Sequence, residues 1–127
     1  PIHPRTRKKL QELNFDFKQT RLQLVDPVGY LEMVHLLKHC SLVATDSGGL
    51  QKEAYFFKKY CITLRTETEW IELVEQGANI ITGWKYEDIL NSYKQLKHTT
   101  KDVFSSPLYG AGQAGHIIIR ELQRIDS

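Results

Sequence analysis

Leu42-Val43-Ala44-Thr45-Asp46-Ser47-Gly48-Gly49-Leu50-Gln51-Lys52-Glu53-Ala54 is the run on which the fold turns. Residues 41–45 form a short, continuous apolar stretch, which reads as a strand buried on both faces. Asp46-Ser47-Gly48-Gly49 ends it, and 50–58 then carries a helical pattern. Working outward, 60–64 predicts a strand and 68–76 a helix, with Thr68 as N-cap and Gly77 at C′. A strand follows at 79–82, then helices at 86–97 and 112–124. On the other side lie a helix at 28–39, a strand at 22–25 closed by Asp26-Pro27, and a first helix at 5–13. Strands and helices alternate through short connections. The expectation is an α/β fold, a Rossmann-like three-layer α/β/α parallel sheet. Such a sheet has a strand ahead of its first helix, and Pro1-Ile2 predicts a clipped remnant of it.

Composition narrows the function. The 127 residues are 41% hydrophobic and 25% charged, a globular make-up that fits one domain over 1–127. Seventeen Lys and Arg against fifteen Asp and Glu leave a net charge of +2. That balance gives no reason to expect a nucleic-acid or membrane-surface partner. No apolar run is long enough to span a bilayer. Cys40 and Cys61 sit in separate apolar runs, without a CxxC or Cys/His cluster, so they read as small buried hydrophobes of a cytoplasmic protein with no metal site.

Ligands of open α/β sheets bind beyond the carboxyl ends of the strands. The residues placed there are His3, Asp26-Pro27, Asp46 to Gly49, and Arg65-Thr66-Glu67. Two glycines at a helix start admit a ligand close to the backbone, and free N–H groups with the helix dipole favour an anion such as phosphate. Ser47 adds a hydroxyl. The plainer alternative is a tight turn with Ser47 or Asp46 as N-cap. Glu53 either suits the dipole of the early helix or reaches back to a ribose diol. The run from Arg5 to Lys9 reads as a solvated face, His35, His39 and His98 as structural, and Trp70, Trp84 and Phe56-Phe57 as core.

Taken in order, these residues resemble a known family. Pro1-Ile2-His3-Pro4-Arg5-Thr6, Pro27 with Gly29-Tyr30, and Thr45-Asp46-Ser47-Gly48-Gly49-Leu50-Gln51-Lys52-Glu53-Ala54 are similar to the non-hydrolysing UDP-N-acetylglucosamine 2-epimerases. Arg65 with Thr68-Glu69, Gly77 with Asn79, and Tyr109-Gly110 with Gly112 and Ala114 continue the likeness over nearly the whole chain. Tyr55-Phe56-Phe57 and Thr68-Glu69-Trp70 look closest to the branch acting on UDP-2,3-diacetamido-glucuronic acid. The resemblance implies two Rossmann-like domains in a GT-B arrangement, this chain being the second, C-terminal one. It implies C2 inversion by elimination and re-addition of UDP, no cofactor, proton-moving carboxylates in an absent N-terminal domain, and a homodimer of the full-length protein.

By position, the resemblance puts His3 near the diphosphate as a leaving-group contact and makes Ser47, Gly48 and Gly49 the diphosphate cradle. It gives Glu53 the ribose hydroxyls, and Val28 and Met33 the uracil. Trp70 stands where many members carry Arg, and Ala111 where many carry Asp. Two other readings compete with a UDP-binding half-enzyme. One is the donor-binding domain of a GT-B glycosyltransferase, against which the QKEA sequence after TDSGG argues. The other is a stand-alone nucleotide-binding module.

Overall fold

The structure is a computed structural model and describes residues 1–125. The described residues fall into two units, Pro1–His39 and the chain from Cys40 onward.

In the first unit, α1 (Pro4–Glu12) begins with proline in its first turn, where the missing N–H is no loss. His3 caps it, Nδ1 accepting from Arg5 N–H at 3.2 Å. The basic face is solvated as expected, apart from Arg7, which pairs with Asp26 at 2.7 Å. A 3₁₀ turn (Phe17–Gln19) follows, then α2 (Tyr30–His39). Helix α2 starts two residues after the point the apolar spacing suggests, because Gly29 N–H is taken by the Glu32 carboxylate, the backward half of a capping box. The strand expected at 22–25 is absent. That stretch is extended, but Val25 C=O accepting from Ile2 N–H at 3.0 Å is its one backbone bond to another segment among the described residues, short of a ladder.

The second unit holds the sheet: β1 (Val43–Thr45), β2 (Cys61–Thr63) and β3 (Asn79–Ile81), all parallel in the order β1-β2-β3. Between them run α3 (Gly48–Phe56) and α4 (Ile71–Glu75), followed by α5 (Tyr86–Lys97) and α6 (Ala114–Ile125). Each strand is shorter than its apolar run, since only three residues align in register. Alternation along the strands separates two faces. Ala44 and Ile62 line one apolar groove with Ile89, Leu90 and Tyr93 of α5. Thr63 and Asn79 face α3 on the other side through the buried amide of Gln51. Helices on both faces of a parallel sheet make the three-layer α/β/α expected.

Helix α4 is shorter than its pattern, and Thr68 is not its N-cap: Trp70 occupies that place without a side-chain cap, while Thr68 Oγ1 donates to Gln51 Oε1 at 2.6 Å. Its end is as read. Gly77 has φ +81° and closes a Schellman motif, its N–H donating to Val74 C=O and that of Ala78 to Leu73 C=O, both at 2.9 Å. Tyr55, Leu73, Ala78 and Val103 form the buried cluster beneath, and full burial of a side chain such as Leu73 contributes roughly 1.5–3 kcal/mol. Two aromatic assignments are corrected. Trp84 is 77% exposed and Phe56 58% exposed, because one follows the carboxyl end of β3 and the other lies on the outer side of α3. No helix among the described residues is long and apolar enough to cross a membrane.

Candidate functional site

Parallel strands in register bring their carboxyl ends side by side. Leu64 N–H donates to Thr45 C=O at 2.9 Å, Thr82 N–H to Thr63 C=O at 3.0 Å, and Gly83 N–H to Arg65 C=O at 2.9 Å. The turns after β1, β2 and β3 therefore share one edge, and the turn after β1 carries the TDSGG run.

That turn is built by short side chains. Thr45 Oγ1 accepts from Ser47 N–H at 3.0 Å and Ser47 Oγ accepts from Leu50 N–H at 3.4 Å, so Ser47, not Asp46, is the N-cap. A capping oxygen accepts, which leaves the Ser47 hydroxyl hydrogen available to a ligand. The cap and the ligand donor are thus compatible roles. Gly48 and Gly49 open α3, and no hydrogen bond among the described residues takes either N–H. Space is unequal above them. A Cβ on Gly48 would lie 1.9 Å from Glu69 Oε1, whereas one on Gly49 would meet nothing within 4 Å. Glu69 is held there by Arg65 at 3.0 Å.

Glu53 lies on the same face of α3 as Gly49, four residues on, and is half-buried. Its carboxylate makes no hydrogen bond or ion pair among the described residues. The second unit thus brings together Ser47, Gly48, Gly49, Glu53 and Trp70, the last donating its indole N–H to Gly48 C=O at 2.8 Å. His3, Val28 and Met33 belong to the first unit. His3 is exposed, and with Nδ1 accepting, its neutral ring carries the proton on Nε2, which is left to donate outward. Val28 and Met33 are both half-buried, the former just before α2 and the latter in its first turn.

Several residues that hold the site were given no role from sequence. Gln51, 1% exposed, uses both ends of its amide: Nε2 donates to Ser47 C=O at 3.3 Å, and Oε1 accepts from Thr68 Oγ1 and from Asn79 Nδ2 at 2.9 Å. It ties the turn after β1 to β3. The signal was a lone amide among the apolar positions of α3. Lys52, Glu72 and Tyr109 were missed as well. The Lys52 ammonium sits 4.4 Å from the Trp70 ring and 4.1 Å from the Tyr109 ring, and Tyr109 donates its hydroxyl to Glu72 Oε1 at 2.7 Å. That bond, with Lys52 adding a smaller effect, holds the Glu72 carboxyl below its usual range, while burial and the neighbouring carboxylate push the Tyr109 phenol up.

Known proteins resemble this chain over nearly its whole length. The chain is 46% identical over 126 residues to the UDP-2,3-diacetamido-2,3-dideoxy-D-glucuronate 2-epimerase of Pseudomonas aeruginosa, covering 98% of this chain and 34% of that one. It is 42% identical over 124 residues to the UDP-N-acetylglucosamine 2-epimerase of Methanocaldococcus jannaschii, covering 95% and 33%. The crystal structure of the M. jannaschii UDP-GlcNAc 2-epimerase in complex with UDP-GlcNAc and UDP matches with a TM-score of 0.78 at 40% identity, over 97% of this chain and 34% of that one. The chain thus spans about a third of the length of the relatives it matches. The family model for UDP-N-acetylglucosamine 2-epimerase covers residues 1–123, and the chain belongs to that family.

Proposed function

We propose that this chain is the UDP-binding, C-terminal domain of a UDP-sugar 2-epimerase, with Ser47, Gly48 and Gly49 receiving the diphosphate. The observation that carries this is the pair of N–H groups at the start of α3 that have no partner among the described residues, with open space above Gly49 and, one turn on, a Glu53 carboxylate that likewise has none among them. Glu53 accepts from the ribose hydroxyls in this reading; the family likeness alone assigns Val28 and Met33 to the uracil and His3 to the diphosphate. Trp70, already engaged with Gly48, serves the turn more than the ligand.

In the reaction, a base removes the proton from C2 of the sugar, the bond from C1 to the UDP oxygen breaks, and a glycal and UDP result. UDP then re-adds at C1 while a proton returns to the other face of C2. Negative charge develops on the departing phosphate oxygen, and preorganised N–H donors at a helix start stabilise it without reorganisation. No pair of carboxylates in this chain is assigned to move the proton; that task falls to an N-terminal domain in the part of the relatives that this chain does not span. The full-length protein is a cytoplasmic homodimer in this reading. The glycosyltransferase alternative draws no support from the relatives described above, all of which are epimerases.

Calorimetric titration with UDP and UMP tests the site. The β-phosphate should tighten binding by about tenfold, the worth of one charge-assisted hydrogen bond. Equal affinities would place the diphosphate elsewhere.

A further inference from the structure

The Gly48-Gly49 pair poses a mechanical problem. Consecutive glycines are the least restrained residues in a chain, yet the Gly49 N–H serves an anion only if its direction is fixed. The C=O of Gly48 and the N–H of Gly49 belong to one planar peptide unit. Whatever grips that carbonyl therefore aims that N–H.

Within α3 that carbonyl already has the helix's own i→i+4 place, and the grip that reaches it from outside the helix is the Trp70 indole N–H at 2.8 Å. Trp70 is itself held. Tyr109 packs edge-on against it with centroids 6.4 Å apart and planes at 87°, and Lys52 places its ammonium over both rings. Lys52 lies four residues after Gly48, on the same face of α3. This is why its side chain reaches the very indole that holds the Gly48 carbonyl. Glu72, two residues after Trp70, accepts from Tyr109 and supplies the countercharge. A cation on an indole face withdraws electron density from the ring and strengthens its N–H as a donor.

We propose that Lys52 is a positioning residue for the anion cradle. Caged by Trp70 and Tyr109, it locks the indole that holds the Gly48 carbonyl and so fixes the aim of the Gly49 N–H. This rests on the reading of that turn as a diphosphate cradle.

The test uses the chain with Trp84→Phe, an exposed position, so that Trp70 is the one tryptophan left. Lys52→Met keeps the stem and removes the charge; Lys52→Arg keeps the charge. UDP and uridine affinities are measured by calorimetry, and the Trp70 indole N–H by ¹H–¹⁵N NMR. Lys52→Met should weaken UDP by about threefold to tenfold, leave uridine unchanged and shift the indole resonance. Lys52→Arg should restore UDP affinity and the resonance. An unchanged UDP affinity in Lys52→Met, or an equal loss for UDP and uridine, overturns the positioning role while the cradle stands. If the parent chain binds UDP no better than uridine, the cradle itself is overturned and this role with it.

Discussion

Glu53 is the residue at which two explanations separate most cleanly. Its carboxylate is half-buried and meets no donor among the described residues, and it stands one helical turn from Gly49. A carboxylate that only answers the helix dipole is indifferent to the ligand's sugar. One that grips a diol is not. Glu53→Gln should therefore weaken UDP by about tenfold or more, the worth of a charge-assisted hydrogen bond, and leave 2′,3′-dideoxy-UDP nearly unaffected. Equal losses for both would reduce Glu53 to a helix-start residue. Cys61 offers a test of the core under β2. Burial raises its thiol from 9.0 to about 11, against a smaller opposing effect of the Thr63 hydroxyl. The folded chain thus keeps a proton that the unfolded chain loses above pH 9. The stabilisation is full below that pH and falls as pH rises towards 11. Between about pH 8 and pH 10.5 the parent should lose roughly 2 kcal/mol that Cys61→Ala does not lose, as read from urea unfolding. Parallel pH profiles would contradict this.

Glycines at element ends separate folding from binding. Gly77 has φ +81° at the end of α4. Gly77→Ala should destabilise the chain by about 1–2 kcal/mol, the cost of a Cβ in the left-handed region, with UDP affinity of the folded fraction intact. Gly49 has an ordinary helical place and open space above it. Gly49→Ala should leave stability unchanged or raise it by up to about 1 kcal/mol through helix propensity, while UDP affinity drops because the methyl group enters the phosphate's space. Denaturation midpoints and calorimetry on both variants check the pair. A Gly49→Ala variant that binds UDP normally would empty the cradle of its function. The same contrast explains what the sequence made legible. Helix α5 was readable to the residue, since Glu87 and Asp88 mark its first turn and Lys94 and Lys97 its last. The stretch 22–25 was not, because an extended run becomes a strand only through a partner. Thr68 was misread for the same reason: the hydroxyl that looks like a cap is used by Gln51, seventeen residues away.

At the scale of the whole chain, the site divides along that line. The proposed ligand residues Ser47, Gly48, Gly49 and Glu53 lie within one strand–turn–helix, so local sequence was enough to single them out as candidates. The apparatus that steadies them was out of reach, because Gln51 works through Asn79 and Lys52 through Trp70 and Tyr109, contacts that exist only once the sheet has formed. The central claim is that UDP is held by its diphosphate on the opening turn of α3. The most direct measurement is a ¹H–¹⁵N NMR titration that follows the Gly48 and Gly49 amides as UDP, and separately uridine, is added. UDP should move both amide resonances strongly downfield, as N–H groups that had no partner acquire an anionic acceptor, while uridine leaves them in place. Unmoved glycine amides at saturating UDP, or equal shifts with uridine, would contradict the account.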